Sequence, residues 1–266
     1  MTLTKEKMPV STGVQGKGKS SMVAFSDARP DWMGEGSKGS ENVRIEDLTI
    51  PRLSIIQSLS PQRQKQEPSY IPGADEGMIF NTVTNKLYTP PITVIPVYFR
   101  KEVVVWKKRF AGGGFKGAFK TMDEALAFIE TKPDRVALDN DGKPVDAYEA
   151  LDTAHQFVLL ADKEEEITEA VLSLQKTGLT FSRKFNSMIA LAGGDRFSHA
   201  YYLNTFLDKR DKGTFYSWKY SSPLGFVSRD LYGKAEKLWH SVSSGAKNVV
   251  YEESSDPAPS TEDRDF

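Results

Sequence analysis

Hydrophobic positions along the middle of the chain fall into runs of β-branched and aromatic residues separated by short polar turns, the pattern of β-strands. The longest run extends from Ile92 to Phe110. Pro96 lies inside it and predicts a bulge or an edge position, because proline cannot donate to a sheet ladder. Further strands are predicted at 154–162 and 168–175, and hairpins at 77–88, 138–147 and 199–222.

Three segments have the wider spacing of amphipathic helices. The first begins at a capping box formed by Thr121 and Glu124. The second covers 179–192, where Gly193 provides a C-terminal cap. The third covers 228–242, with Leu231, Leu238 and Trp239 expected on its buried side. The glycine-rich stretch 111–119 is predicted to be a flexible loop between basic strands.

This order of elements predicts a mostly β protein with inserted helices, an α+β fold with an OB-like small barrel as its core. We expect a flexible basic N-terminal segment at 1–40, because its composition cannot bury enough apolar surface to offset the entropy of ordering. A single folded domain is expected at 41–250, followed by a disordered acidic tail at 251–266.

The charge is distributed unevenly along the chain. Residues 252–266 contain six acidic side chains and one basic one, a net charge of −5, so with a formal total of −1 the rest of the chain carries +4. Within that rest, seven basic residues and only one acidic residue lie between Tyr98 and Lys120. The sequence therefore describes a basic body joined to an acidic arm.

Few features point to an enzyme. The chain has no cysteine and three separated histidines, which argues against a local metal site. Gly13 to Ser20 matches the spacing of a phosphate-binding loop, but neither a buried strand before it nor a clear helix after it is predicted. We therefore expect a non-enzymatic protein without cofactors. The sequence offers no membrane span or signal peptide, so we expect it in the cytoplasm.

Basic residues interleaved with aromatic ones are the strongest functional pattern. Single-stranded nucleic acid calls for this mixture, since cations follow the phosphates while exposed rings stack on bases. Trp106, Phe110, Trp218 and Tyr220 are the candidate stacking residues. The full predicted DNA-binding set is Arg100, Lys101, Trp106, Lys107, Lys108, Arg109, Phe110, Phe115, Lys116, Arg183, Lys184, Tyr216, Trp218, Lys219 and Tyr220.

The end of the chain resembles a known kind of tail. The sequence "TEDRDF" after the linker "SSDPAPS" is similar to the acidic tail ending in phenylalanine of bacterial and phage-type single-stranded DNA-binding proteins. The segments "EDLTIPRLSIIQSLSPQ" and "PVYFRKEVVVW" also look like small phage proteins of this kind. The resemblance implies that Glu262, Asp263, Asp265 and Phe266 recruit replication or recombination proteins and compete with DNA for the protein's own groove.

The sequence thus predicts sequence-independent binding and protection of single-stranded DNA in phage replication, recombination or repair. A homodimer is compatible with that function. The alternative is a phage structural or host-takeover protein whose basic face binds a protein partner. A nucleotide hydrolase built on Gly13 to Ser20 is a third hypothesis.

Overall fold

The computed structural model describes residues 38–44, 48–139, 141–163, 166–210, 213–249 and 251. The chain divides into two units, Met1–Asn42 and Val43–Phe266. The described part of the first unit, 38–42, consists of turns, and the backbone N–H of Gly39 donates to the carboxylate of Glu41 at 2.9 Å. All strands and helices of the described residues belong to the second unit.

The second unit is mostly β, which confirms the predicted fold class. The described residues contain three α-helices: α1 (Met122–Glu130), α2 (Gly178–Ala192) and α3 (Arg229–Ser243). Short 3-10 turns lie at Pro61–Arg63 and Arg109–Ala111. The strands are β1 (Leu53–Ile55), β2 (Ile79–Asn81), β3 (Leu87–Tyr88), β4 (Ile92–Lys107), β5 (Phe115–Phe119), β6 (Val136–Leu138), β7 (Pro144–Asp146), β8 (Tyr148–Lys163), β9 (Glu166–Gln175), β10 (His199–Arg210), β11 (Gly213–Tyr220) and β12 (Gly225–Phe226).

A large antiparallel sheet has the strand order β11-β10-β4-β8-β9, with β5 paired to β4 and β12 paired to β10. Within the sheet, β4, β8 and β9 lie side by side in the order in which they occur along the chain, and β10 returns to pair with the other edge of β4. These four strands therefore have the order of a Greek key. A five-stranded Greek key is also the connectivity of OB-type barrels. The helix α2 lies in the connection from β9 to β10.

The predicted barrel closure is corrected by the structure, because the sheet is open. Its two end strands, β9 and β11, form no ladder with each other in the described residues. The small sheet β1-β2-β3 contacts both ends instead. Arg52, just before β1, forms a parallel bridge to Val171 of β9, and the side-chain amide of Gln57 pairs with the backbone of Tyr216 in β11.

Helices cover both faces of the large sheet. On one face, Phe185 of α2 packs in the same core cluster as Val158 of β8. On the other face, Leu238 of α3 packs with Leu159 of β8. Successive residues of a strand point to opposite faces, so Val158 and Leu159 contribute to separate cores. We refer to these as the α2 face and the α3 face.

Several local predictions are confirmed. The register of β4 against β8 shifts between Pro96 and Tyr98, which is the predicted bulge. Thr121 caps α1 by accepting a hydrogen bond from the backbone N–H of Glu124. The C-cap of α2 is Gly193, with a φ of 78° that favours glycine.

Two local predictions are wrong. The glycine-rich stretch contains a strand, β5, because Val103 to Trp106 of β4 offer a free edge with which it pairs. Trp239 is 37% exposed on α3, whereas Ala235, Leu238 and Val242 form the buried side of that helix.

Candidate nucleic-acid interface

A cavity of about 260 Å³ opens on the α2 face of the sheet, between the middle of β4 and β8 and the first turns of α2. Its walls combine an aromatic ring, cationic side chains, an acidic side chain and small polar groups. They are formed by Phe99, Lys101, Asp152, Ala154, Leu179, Ser182, Arg183 and Asn186. We call this cavity the α2 pocket.

Strand and helix periodicities explain why these residues meet. Phe99 and Lys101 are two positions apart in β4 and therefore lie on the same face of the sheet. Their partners in β8 are Gln156 and Ala154. On α2, the spacing from Leu179 through Ser182, Arg183 and Asn186 places one side of the helix over these strands.

The two predicted basic clusters meet at this pocket. Lys101 belongs to the first cluster and Arg183 to the second, and both line the same cavity although 82 positions separate them in sequence. The ammonium of Lys101 lies 2.8 Å from Oδ1 of Asp152, and both side chains are about half exposed. The Nε of Arg183 donates to the backbone oxygen of Leu179 at 3.4 Å.

A buried polar network supports the floor of the pocket. The Nη2 of Arg196 donates to Oε1 of Gln156 and, at 2.8 Å, to Oδ1 of Asn186. The Nε2 of Gln156 donates to Oγ of Ser182 at 2.8 Å and to Oδ1 of Asn186 at 3.1 Å. Arg196 also lies with its guanidinium carbon 5.8 Å from the ring centre of Phe99. Burial lowers the pKa of Arg196 to about 10, so the side chain stays cationic at neutral pH.

The opposite face of β4 is built differently from what the sequence predicted. Trp106 is only 3% exposed, which corrects its assignment as a stacking platform for bases. Its ring is 5.9 Å from the ring of Phe115 and 5.9 Å from that of Tyr251, both in edge contacts. The rings of Phe115 and Tyr251 stack at 4.5 Å. The segment that follows α3 returns over this face and covers it.

Other basic residues of the first cluster are held by protein contacts or lie elsewhere. Arg100 is on the α3 face, where its Nη1 donates to Asn248 at 2.8 Å. The ammonium of Lys107 pairs with Asp134 at 2.5 Å and lies over the ring of Tyr148. The remaining predicted residues of this cluster, found in the connection from β4 through β5, are Lys108, which is half-buried, and Arg109, Phe110 (40% exposed) and Lys116, which are exposed.

The second cluster is divided between α2 and the edge strand β11. Lys184 is exposed on α2, next to Arg183. The ring of Tyr220 packs 5.2 Å from that of Phe185, and Trp218 packs against the same core. Both are half-buried, as is Tyr216, whereas Lys219 between them is exposed.

The covered face of β4 contains a hydrogen-bonded triad of Glu102, His155 and Tyr251, in which His155 is buried and the other two side chains are half-buried. The hydroxyl of Tyr251 donates to Oε1 of Glu102 at 2.7 Å, and Nε2 of His155 lies 2.9 Å from the same oxygen. Nδ1 of His155 lies 3.0 Å from Oγ of Ser173. A carboxylate only accepts, so Nε2 of His155 is the protonated nitrogen.

These contacts shift the ionisation of the triad. Burial lowers the pKa of His155, and its hydrogen bond to Glu102 only partly offsets this. Burial alone would raise the pKa of Glu102, but the hydrogen bonds from His155 and Tyr251 outweigh it, so the pKa lies below its usual value. Burial, together with the adjacent carboxylate of Glu102, raises the pKa of Tyr251.

Some predicted sites fall outside the described residues. These are the phosphate-loop match at Gly13 to Ser20 and the partner-binding residues Glu262, Asp263, Asp265 and Phe266. Within the described residues, no group of three or more histidine or acidic side chains is arranged to hold a metal ion. No helix among those residues is long and apolar enough to cross a membrane.

Sequence reasoning found the cations of the α2 pocket but missed most of its other walls. Phe99 could have been found, because strand alternation places it on the face of Lys101. Asp152, Ser182 and Asn186 gave no signal of their own, since isolated polar residues in a strand or helix are normally solvated surface.

The fold and this pocket define a mostly β protein with an open Greek-key sheet and a mixed cationic and aromatic cavity on one face. The chain belongs to the family described as Pam3 phage gp34-like protein, whose model matches residues 18–248. It is therefore a member of a phage protein family. Neither curated proteins nor solved structures gave a match to this chain.

Proposed function

We propose that this protein binds single-stranded DNA, largely without regard to sequence, during phage DNA replication, recombination or repair. The observation that carries the proposal is the meeting of Lys101 and Arg183 at a cavity that also contains the ring of Phe99. Cations beside an aromatic ring are what an unpaired, negatively charged strand needs. No chemical reaction is part of the proposal.

The connectivity of the sheet also supports this function. OB-type Greek-key barrels bind oligonucleotides on the face of their second and third strands and through nearby loops. In this chain the corresponding strands are β8 and β9, of which β8 contributes Asp152 and Ala154 to the α2 pocket. The connection between the first and second strands contains Lys108, Arg109, Phe110 and Lys116. A strand of DNA leaving the α2 pocket would follow the exposed cations Arg109, Lys116 and Lys184.

The acidic tail has a place in the same proposal. Glu262, Asp263, Asp265 and Phe266 would recruit replication or recombination proteins through their negative charges and one apolar side chain. A homodimer that coats a strand side by side with others is also compatible with the proposed activity.

Binding is tested by fluorescence anisotropy of a labelled single-stranded oligonucleotide titrated with protein at several salt concentrations. The logarithm of affinity should fall with the logarithm of salt, with a slope of about −0.7 per phosphate contacted. The double variant Lys101→Ala/Arg183→Ala should bind more weakly and with a shallower slope. The matched control is Arg229→Ala/Lys237→Ala, which removes two exposed cations from α3 on the opposite face. Absence of salt dependence, or tighter binding of duplex DNA, would contradict the proposal.

A specific observation favours a second candidate, binding of a protein partner. Phe226 is 82% exposed beside β10, and Leu224 and Tyr202 of the same region are also exposed. Exposed apolar side chains grouped together are typical of protein contact surfaces. If Phe226→Ser abolishes recovery of a phage or host protein while the oligonucleotide shows no affinity, this second candidate replaces the first.

A further inference from the structure

Arg196 fixes the orientation of the side-chain amides in the polar wall of the α2 pocket. A guanidinium can only donate hydrogen bonds, so Oε1 of Gln156 and Oδ1 of Asn186 must both accept from it. The orientation of the two amides is therefore fixed. Gln156 then has only its Nε2 to offer, and that group donates to Asn186 and to Ser182.

This arrangement leaves hydrogen-bond donors of the pocket lining without a partner among the described residues. Oδ1 of Asn186 is used twice, whereas its Nδ2 has no hydrogen-bond partner among the described residues. Oγ of Ser182 accepts from Gln156, and within the same residues its hydroxyl hydrogen has no acceptor. Lys101 and Arg183 add further donors. The lining also includes the carboxylate of Asp152, whose Oδ1 is already held by Lys101 at 2.8 Å.

The size of the pocket limits what it can hold. At about 260 Å³ it lies just below the range of roughly 300 to 1,000 Å³ typical of small-molecule sites. One flat heterocycle beside the ring of Phe99 suits this space, and a dinucleotide does not. The donors would then face the edge of that heterocycle.

We propose that the α2 pocket holds one unpaired base of the bound strand and favours bases that carry a ring carbonyl. Guanine, thymine and cytosine present a carbonyl oxygen that accepts from Asn186 and Ser182. Adenine carries an amino group in place of a carbonyl, so it would present a hydrogen-bond donor to the donors of Asn186 and Ser182. This inference rests on the proposed DNA binding and adds a modest selectivity at one position of an otherwise sequence-independent site.

The test uses oligomers of abasic deoxyribose phosphate with one central base, either hypoxanthine or adenine. These two purines have the same ring size, so stacking on Phe99 is matched. They differ on one edge, where hypoxanthine carries a 6-carbonyl and an N1–H, whereas adenine carries a 6-amino group and an unprotonated N1. Anisotropy titrations of the full chain should show about fivefold tighter binding of the hypoxanthine oligomer, the value of one good hydrogen bond. Equal binding of the two oligomers would overturn the inference.

Variants separate base selection from charge. Asn186→Asp keeps an acceptor for Arg196 and Gln156 but replaces the Nδ2 donor with an oxygen, so the preference for hypoxanthine should disappear or reverse. Ser187→Asp adds the same charge at the next, exposed position of α2, outside the pocket lining, and should weaken both oligomers equally. If Asn186→Asp retains the fivefold preference, the selection does not arise in this pocket.

The same titrations distinguish failure of the inference from failure of the proposed function. If neither base-bearing oligomer nor an all-thymine oligomer binds, the DNA-binding proposal fails. If the all-thymine oligomer binds in a salt-dependent way but the two purines bind alike, DNA binding stands and only the base-selective pocket is refuted.

Discussion

The hydroxyl of Tyr251 donates to Oε1 of Glu102 at 2.7 Å and thereby ties the segment after α3 to the middle of β4. The ring of Tyr251 also stacks on Phe115 at 4.5 Å and contacts the edge of Trp106. One side chain thus contacts the aromatic cluster and donates a hydrogen bond to a half-buried carboxylate. Tyr251 also immediately precedes the acidic residues 252–266 in the sequence.

The Tyr251→Phe variant tests the contribution of that hydrogen bond. Phenylalanine keeps the stacked ring but leaves the half-buried carboxylate of Glu102 without one donor, which should lower the free energy of unfolding by about 1 to 3 kcal/mol. Urea denaturation monitored by circular dichroism gives the value. The control is Tyr232→Phe, which removes a hydroxyl that donates to exposed Asp195 and should cost less. Equal losses in the free energy of unfolding for the two variants would contradict a larger contribution from the hydrogen bond between Tyr251 and Glu102.

The triad of Glu102, His155 and Tyr251 makes the free energy of unfolding depend on pH, and the lowered pKa values give the direction of that dependence. The pKa of His155 is lowered in the folded protein, so below about pH 6.5 the unfolded chain takes up a proton that the folded chain does not. The pKa of Glu102 is also lowered, so below about 4.5 the same argument applies to that carboxyl. Below these values the folded protein binds fewer protons than the unfolded chain, so stability should fall as the solution is acidified.

Urea midpoints measured from pH 8 to pH 5 check this dependence. The decline attributable to His155 should reach a slope of at most about 1.4 kcal/mol per pH unit below its unfolded pKa. His155→Gln keeps a donor for Glu102 and an acceptor for Ser173 but does not titrate, so its midpoint should vary less over the same range. A wild-type stability that rises toward pH 5 would refute the assignment.

How far the sequence predicts this fold is clear from β4. Its start at Ile92 and its bulge at Pro96 follow from composition, and alternation places Glu102 and Trp106 on a common face, where both contact Tyr251. The strand ends at Lys107, three residues before the end of the predicted run. The burial of that face does not follow, because alternation assigns a residue to a side without saying what covers it. The covering residue, Tyr251, lies 145 positions away from Trp106 in sequence.

The α2 pocket shows the same limit. Lys101 and Arg183 were predicted as separate cationic positions, and only the packing of α2 on β4 and β8 makes them neighbours. The network of Gln156 and Arg196 under the pocket was not predicted, since buried polar partners far apart in sequence have no local pattern. Periodicity predicts elements and faces, whereas sites formed by several elements require the tertiary packing.

The edge strand β11 is contacted by the side chain of Gln57, and the contribution of this contact to stability can be measured. The side-chain amide of Gln57 donates to the backbone oxygen of Tyr216 at 2.9 Å and accepts from its N–H at 2.8 Å, much as a neighbouring strand would. Gln57→Glu can still accept but cannot donate, and it places a carboxylate against a carbonyl. We expect a loss of about 1 to 2 kcal/mol in the free energy of unfolding.

Amide hydrogen exchange locates the effect of the Gln57→Glu substitution. The N–H groups of β11 should exchange faster in the variant, while those of β8, in the centre of the sheet, should change only as much as global stability does. Gln64→Glu is the control, because Gln64 is exposed and, within the part of the chain that the structure describes, its side-chain amide donates only to the backbone oxygen of Leu59. Unchanged protection of β11 would show that Gln57 does not hold this edge.

The contrast between Phe99 and Trp106 gives a direct test of which aromatic residue contacts DNA. Phe99→Leu keeps apolar volume in the α2 pocket but removes the aromatic face, so single-stranded DNA should bind about fivefold more weakly or worse, as expected for loss of one stacked base. Trp106→Phe retains a ring in a position that is 3% exposed, and its buried Nε1 has no hydrogen-bond partner among the described residues. DNA affinity should therefore be unchanged in that variant.

Anisotropy titrations of both variants, with folding checked by circular dichroism, measure the two affinities. If Trp106→Phe weakens binding as much as Phe99→Leu, bases reach the covered face of β4, and the interface lies under the segment that contains Tyr251.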